Sequence, residues 1–462
     1  MSEALETEFE DDVQHEVSLK DSFIKEIAEL LDEGSIERIQ ELCADLPAED
    51  AAELIKKLSS DHRRALLETL EGLLNPETFS HFESEVLNDL LEHVSPSYIA
   101  SIVNELDSDD AIHLIEDLEE DRRAHVLRHL NKKLRLVVEE GLTYPEDSAG
   151  RLMQREIVAV PLFWTVGKTI DYLRASAGNR PDVFHNIFVV DPMHHFVGVV
   201  SLSDLLSVSR SARIDSILTE DSTTIPVLMD QEEVAYIFRK KDLLSAAVVD
   251  ENDHLIGVIT VDDIVDVIHE EAEKDILQLS GVNDTDIHRQ ALATANSRFV
   301  WLVINLGTAI AASVVISFFE GAITKLAALA VLMPIVASMG GNAGTQTLAV
   351  TVRALATKEL SGVNSLRVII KECLVGFING SLFALIIGSL VFLWSDNLML
   401  GIVIAVAMVT NLLLAGISGA AIPMLMNRWG FDPAQSAVVF LTTVTDIVGF
   451  FAFLGLAALF LV

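Results

Sequence analysis

Cysteine is nearly absent from this 462-residue sequence, with only Cys43 and Cys373, one in each half. Two such distant thiols exclude a disulfide framework and a thiolate metal cluster. Histidine stops at His288, which argues against an imidazole-based metal pathway or proton relay in the C-terminal part. The opening MSEALETEFEDD has neither the basic start nor the apolar core of a signal peptide, so the N-terminal half is expected in the cytoplasm. Basic residues are scarce, 32 Lys/Arg against 69 Asp/Glu, for a formal net charge of −37. The imbalance is uneven: residues after 290 hold seven basic and six acidic groups, and residues 1–290 hold 25 and 63. So acidic a half disfavours nucleic acid and anionic lipid as partners and favours cations. No Walker-type loop or nucleophile–base constellation is present, so no enzyme is expected. HEEAE at 269–273 is not the HExxH of a zinc protease.

What is there falls into blocks. Residues 1–20 read as an acidic, aperiodic tail. Residues 21–143 carry apolar positions at helical spacing and predict an all-α, superhelical, acidic N domain. Within it LPAEDAAELIKKLSSDHRRALLETL at 46–70 matches LDSDDAIHLIEDLEEDRRAHVLRHL at 106–130, offset by 60, each copy a helix pair. A second repeat pairs FVVDPMHHFVGVVSLSDL at 188–205 with AVVDENDHLIGVITVDDI at 247–264, offset by 59. Each copy predicts strand, turn, strand and a helix capped by Ser201 with Asp204 or Thr260 with Asp263. From Asp263 to Leu279 an apolar stripe (Ile264, Ile268, Ala272, Ile276) lies opposite Glu270, Glu271, Glu273, Lys274 and Asp275, predicting an amphipathic connecting helix.

Five apolar runs then match the roughly 20 residues of a membrane crossing: about 299–319, 323–348, 369–394, 398–424 and 435–461. Arg353, Lys358, Arg367, Lys371 and Arg428 fall in the loops after the second and fourth runs, and only Lys325 in the others. That bias predicts a cytoplasmic N-terminus and an external C-terminus. The second run contains PIVASMGGNAGTQTLAVTVR, where Gly340, Gly341, Asn342, Gly344, Thr345 and Gln346 interrupt the apolar pattern. Gly340 and Gly344 form a GxxxG pair suited to tight helix packing. Asn, Thr and Gln beside them suit the wall of a polar pore. Glu372 can be interfacial, whereas Asp446 lies mid-run with Thr442 and Gly449 on its helical face. A carboxylate there costs about 2.5–3.5 kcal/mol on insertion scales, so it marks a functional site.

The duplicated strand–turn–strand–helix unit resembles a pair of CBS domains. Gly-x-x-Ser/Thr-x-x-Asp boxes in that family can bind an adenosine ribose, which makes Asp204 and Asp263 candidate contacts for ATP. A capping box explains the same residues without a ligand. The block order, together with YPEDSAGRLM at 144–153, MGGNAGTQ at 339–346 and LTTVTDIVG at 441–449, resembles the MgtE family of magnesium transporters or channels. The resemblance implies a homodimer in the cytoplasmic membrane and divides the chain into the tail (1–20), N domain (21–143), first CBS domain (144–213), second CBS domain (214–264), connecting "plug" helix (265–290) and a transmembrane domain of five helices (291–462). It also implies a hydrated magnesium ion held near Asp446, with Gly341, Thr345, Thr442 and Gly449 around it. Asn342 and Gly344 are added from their place in the motif. Two features depart from the common family pattern: Thr345 stands where Asn is frequent, and Ala437, Val438 and Val439 stand where Ser-Gly-Pro is frequent.

Magnesium dehydrates reluctantly and takes few direct carboxylates, which suits one Asp446 per subunit. The acids expected to sense cytoplasmic Mg2+ and close the pore are Asp107, Asp109 and Asp110 of the N domain, Asp262, Asp263 and Asp266 of the second CBS unit, and Glu270, Glu271, Glu273 and Asp275 of the connecting helix. Ordinary solvated faces are the rival account of those acids. Two further functions stay open at this stage: a membrane-anchored nucleotide or metal sensor without transport, and a divalent transporter preferring Co2+ or Mn2+.

Overall fold

The computed structural model describes residues 19–82, 84–92, 94–116, 118–176, 181, 183–219, 222–282, 291–360 and 362–462. Most of the expected acidic tail, and 283–290 of the expected plug segment, lie outside the described residues. The chain divides into two compact units, one through His269 and one from Glu270 to Val462.

In the first unit, helix pairs build the acidic N domain. The sequence repeat appears as Ala48–Lys57 with Ser60–Thr69, and again as Ser108–Glu116 with Glu120–His129. Each second helix carries an arginine that caps the first. Arg63, 1 % exposed, donates to the Ile55 and Lys56 carbonyls at 3.0 and 2.8 Å. Arg123, at the same place in the other copy, donates to Glu116 and to Leu118 at 3.0 Å. Helix C-terminal carbonyls need such donors, and the guanidinium satisfies several of them at once. Ile55, Leu66, Phe79, Leu87, Ile99, Ile112 and Val126 form one continuous core beneath the helices.

Two three-stranded sheets follow: β1 (Ala159–Pro161), β2 (Asn186–Val190) and β3 (Phe196–Ser201), then β4 (Thr224–Pro226), β5 (Ser245–Val249) and β6 (Leu255–Thr260). In each, the first strand runs parallel to the second and the second antiparallel to the third. The register shifts at the same step, between Val189 and Val190 and between Val248 and Val249. Asp191 and Asp250 anchor the two turns, each contacting two backbone N–H groups and one histidine ring nitrogen at 2.8–3.0 Å. The histidines so held, His195 and His254, stack with ring centroids 4.8 Å apart.

Residues 144–153, read as the opening of the first module, pack into the second. The Ala149 and Gly150 N–H groups donate to Met229 and Val227 carbonyls at 2.7 and 2.8 Å. Ala149 and Met153 are buried among Ile225, Val234 and Ile259. The segment lies outside the repeated stretch, so the repeat alone cannot assign it.

The helix after β6 runs unbroken from Val261 to Leu279, so the capped helix of the second module and the connecting helix are a single element. In the second unit, five helices are long and apolar enough to cross a membrane: Thr294–Ser317, Ala328–Ala356, Ser365–Ser395, Leu398–Arg428 and Ala437–Phe460, called spans one to five below. A short helix, Glu320–Lys325, takes the place of the expected start of span two. Span one packs along span five and is otherwise exposed. Spans three and four approach most closely, with Gly388 and Gly401 facing each other's carbonyls.

Candidate functional site

Span two is continuous through MGGNAGTQ despite Pro334, and its residues divide by face. Gly340 and Gly344 are buried. A methyl group at Gly344 would lie 2.9 Å from the Leu441 side chain of span five, and one at Gly340 2.2 Å from the Asn411 amide of span four. Both glycines are therefore small because another helix occupies the space. A methyl at Gly341 would meet nothing within 4 Å. Asn342, Thr345 and Gln346 are exposed. On span five, Thr442 and Asp446 are half-buried, while Gly449 is buried with the Asn411 amide 2.8 Å from where its methyl would lie.

The candidate residues thus divide into two sets. Gly344 and Gly449 pack between helices, whereas Gly341, Asn342, Thr345, Thr442 and Asp446 stay open. These contacts also set the register. Gly340 is level with Gly449 and Gly344 with Leu441. Spans two and five therefore run antiparallel, and Asp446 lies level with Gly341 and Asn342.

Thr345 Oγ1 donates to the Gly341 carbonyl at 2.8 Å and Thr442 Oγ1 to Val439 at 3.1 Å. With their hydrogens committed, both hydroxyls offer only lone pairs outward, as the water shell of a cation requires. Asp446 has no hydrogen-bond or ion-pair partner among the described residues. Glu372, near the start of span three, is 8 % exposed and accepts from Thr347 Oγ1 at 3.2 Å.

The regulatory candidates form two groups. In the first unit, Asp109 is buried, and burial followed by the charge of Asp263 holds its carboxyl well above the usual range. Burial, followed by the charge of Asp107, lifts Asp110 to about 6. Burial also lifts Asp263 to about 7, against a 2.6 Å hydrogen bond from Thr260 Oγ1. Asp109 Oδ1 has no hydrogen-bond partner among the described residues. Asp107, Asp109, Asp110, Asp262 and Asp263 thus gather where a helix start of the N domain meets one of the second CBS module. Asp266 follows Asp262 four residues on along an exposed face, and Glu270, where the second unit begins, continues the step.

In the second unit, Glu271, Glu273 and Asp275 are half-buried. Burial, then the charges of Asp432 and Glu271, raise Asp275. Asp432 is not among the acids expected from the sequence. It is the N-cap of the last helix, accepting from the Ala434 N–H at 2.8 Å. Leu279, at the end of the connecting helix, packs against Leu348, Val352, Met426, Ala434 and Leu441 at the ends of spans two, four and five.

Among the described residues, no three or more His, Cys, Asp or Glu side chains cluster to hold a metal ion. Magnesium needs no such cage. It binds through one or two carboxylates and keeps several waters. A crowded, destabilised pair such as Asp109 and Asp263 fits that demand, and the sequence's Asp204 does not join it: Asp204 is exposed and accepts from Ser201 Oγ at 2.7 Å.

The family described as a divalent cation transporter, MgtE, matches residues 333–456. Its intracellular N domain matches 46–147 and the CBS domain matches 149–211 and 214–270. The magnesium transporter MgtE of Bacillus subtilis is 31 % identical over 442 residues, covering 96 % of this chain and 98 % of its own. That of Enterococcus faecalis is 37 % identical over 324 residues, 70 % of this chain and 71 % of its own. A solved cytosolic domain of the Mg2+ channel MgtE in complex with ATP aligns with 53 % of this chain and 99 % of its own at 30 % identity, with a TM-score of 0.49. A multi-pass chain carrying an MgtE N domain, a CBS pair and a cation-transporter domain, and matching a magnesium transporter from end to end, belongs to the MgtE family of magnesium transporters.

Proposed function

We propose that this protein imports Mg2+ down its electrochemical gradient, along a path between spans two and five at the centre of a homodimer. The observation that carries the reading is Asp446, a carboxylate without a partner among the described residues and about 14 Å along span five. It lies level with a wall of open polar groups on span two. Such a surface cannot face lipid, so a second copy of the chain covers it and supplies a second Asp446. Two carboxylates balance one dication, and the outward lone pairs of Thr345 and Thr442 receive its water shell. The N-terminal unit lies in the cytoplasm and the C-terminus outside.

Cytoplasmic Mg2+ closes the path by bridging carboxylates that otherwise repel. One such bridge joins Asp109 and Asp263, with Asp107, Asp110 and Asp262 nearby. Another joins Asp275 and Glu271 to Asp432, drawing the connecting helix against the start of the span that carries Asp446. Asp266, Glu270 and Glu273 extend the same charged helix faces. One weak site at tenfold its dissociation constant yields only about 1.4 kcal/mol. Full closure takes about 5.5 kcal/mol, so several bridges must act together.

Mg2+ flux into proteoliposomes tests the reading. The wild type should carry it and Asp446→Asn, similar in shape, should insert normally and lose most of it. Flux in Asp446→Asn equal to the wild type would refute the assignment.

A further inference from the structure

Asn411 is a lone amide in the middle of span four, and it is 0 % exposed. Its Nδ2 donates to the Val336 carbonyl of span two at 2.7 Å. Its Oδ1 is buried with no hydrogen-bond partner among the described residues. Methyl groups at Gly340 and Gly449 would lie 2.2 and 2.8 Å from this same amide. The side chain therefore fills a slot lined by one glycine from each of the two spans that form the candidate path. A buried amide with half its bonding capacity unused is destabilising compared with an apolar side chain of the same shape. Its presence points to a geometric role.

We propose that Asn411 is the positioning residue that sets the gap between spans two and five at the level of Gly341 and Asp446, and thereby the choice among divalent ions. The inference rests on spans two and five being the ion path. Gly341 adjoins Gly340, and Asp446 precedes Gly449 by three residues, so the amide's position is passed to both walls within one helical turn. The gap matters because Mg2+ passes with its waters, whereas Ca2+ accepts varied coordination and exchanges its shell for protein oxygens more readily. A gap matched to the hydrated ion separates the two, and a relaxed gap does not.

The test is the ratio of Mg2+ to Ca2+ flux in proteoliposomes of the full chain, per folded protein. Asn411→Leu fills the slot without the donor and should lower the ratio about tenfold. Gly340→Ala should abolish flux by collision with the amide, and adding Asn411→Ala should restore flux at a relaxed ratio. If the leucine variant does not accumulate, Asn411→Ala alone carries the same ratio measurement. A folded, conducting Asn411 variant with the wild-type ratio would overturn the proposal, as would a double variant no better than Gly340→Ala. Absence of Mg2+ flux in the wild type would instead refute the ion path itself.

Discussion

Neighbouring glycines on one helix turn serve different ends. Gly344 meets Leu441, whereas Gly341 meets nothing. Forcing a methyl into a packed interface typically costs about 1–3 kcal/mol. Gly344→Ala should therefore lower the thermal stability of the detergent-solubilised protein by that order. Gly341→Ala should unfold at the wild-type temperature yet conduct less per folded molecule. Equal melting of the two variants would show that both glycines share one role. The motif was legible in the sequence because Gly, Asn, Thr and Gln stand out from an apolar run. Which glycine faced which way was not, since that depends on Asn411 and Leu441, far along the chain. Asn411 itself offered a signal, an amide in the middle of a 31-residue apolar helix, that a search for charge passes over.

At the scale of elements, the connecting helix and the last helix place two acids within each other's electrostatic reach. Asp432 caps span five and also raises Asp275 on the connecting helix. Asn caps a helix about as well as Asp, so Asp432→Asn removes the charge and keeps the cap. Patch recordings should then show closure needing several-fold more cytoplasmic Mg2+, with unchanged conductance. A closing midpoint equal to the wild type would exclude Asp432 from the sensor. Periodicity revealed the helices and their apolar stripes. It also carried the second module's helix through to Leu279. It could not reveal that Ala149 and Met153 pack against the second module, because that contact is not local.

For the whole molecule, the charge asymmetry becomes a dependence on pH. Asp109 titrates above the usual carboxylate range because of burial and then Asp263, and burial lifts Asp110 and Asp263 to about 6 and about 7. The folded cluster binds protons more tightly than the unfolded chain. Without cation its stability is thus fullest below the ordinary carboxylate value near 4 and falls as pH rises through 6 to 7. On the proposed scheme Mg2+ replaces those protons, so the protection it gives the N-terminal unit against protease should be large near pH 8 and small near pH 5.5. Protection independent of pH would mean that Mg2+ acts elsewhere. The acidity was plain from composition. Which acids are crowded depends on two helix starts more than 150 residues apart.

The two CBS modules share a turn, a register shift and a capping box, the marks of a copied gene segment. A copy can drift while its sibling keeps the original task. Here the box acid of one copy, Asp204, remains at the surface, and that of the other, Asp263, is turned against the N domain. On the proposed scheme, one duplicated position then offers two separate inputs. Asp204→Asn should leave the Mg2+ closing midpoint where it is, and Asp263→Asn should move it, so a small molecule read at the first could evolve without disturbing the ion read at the second.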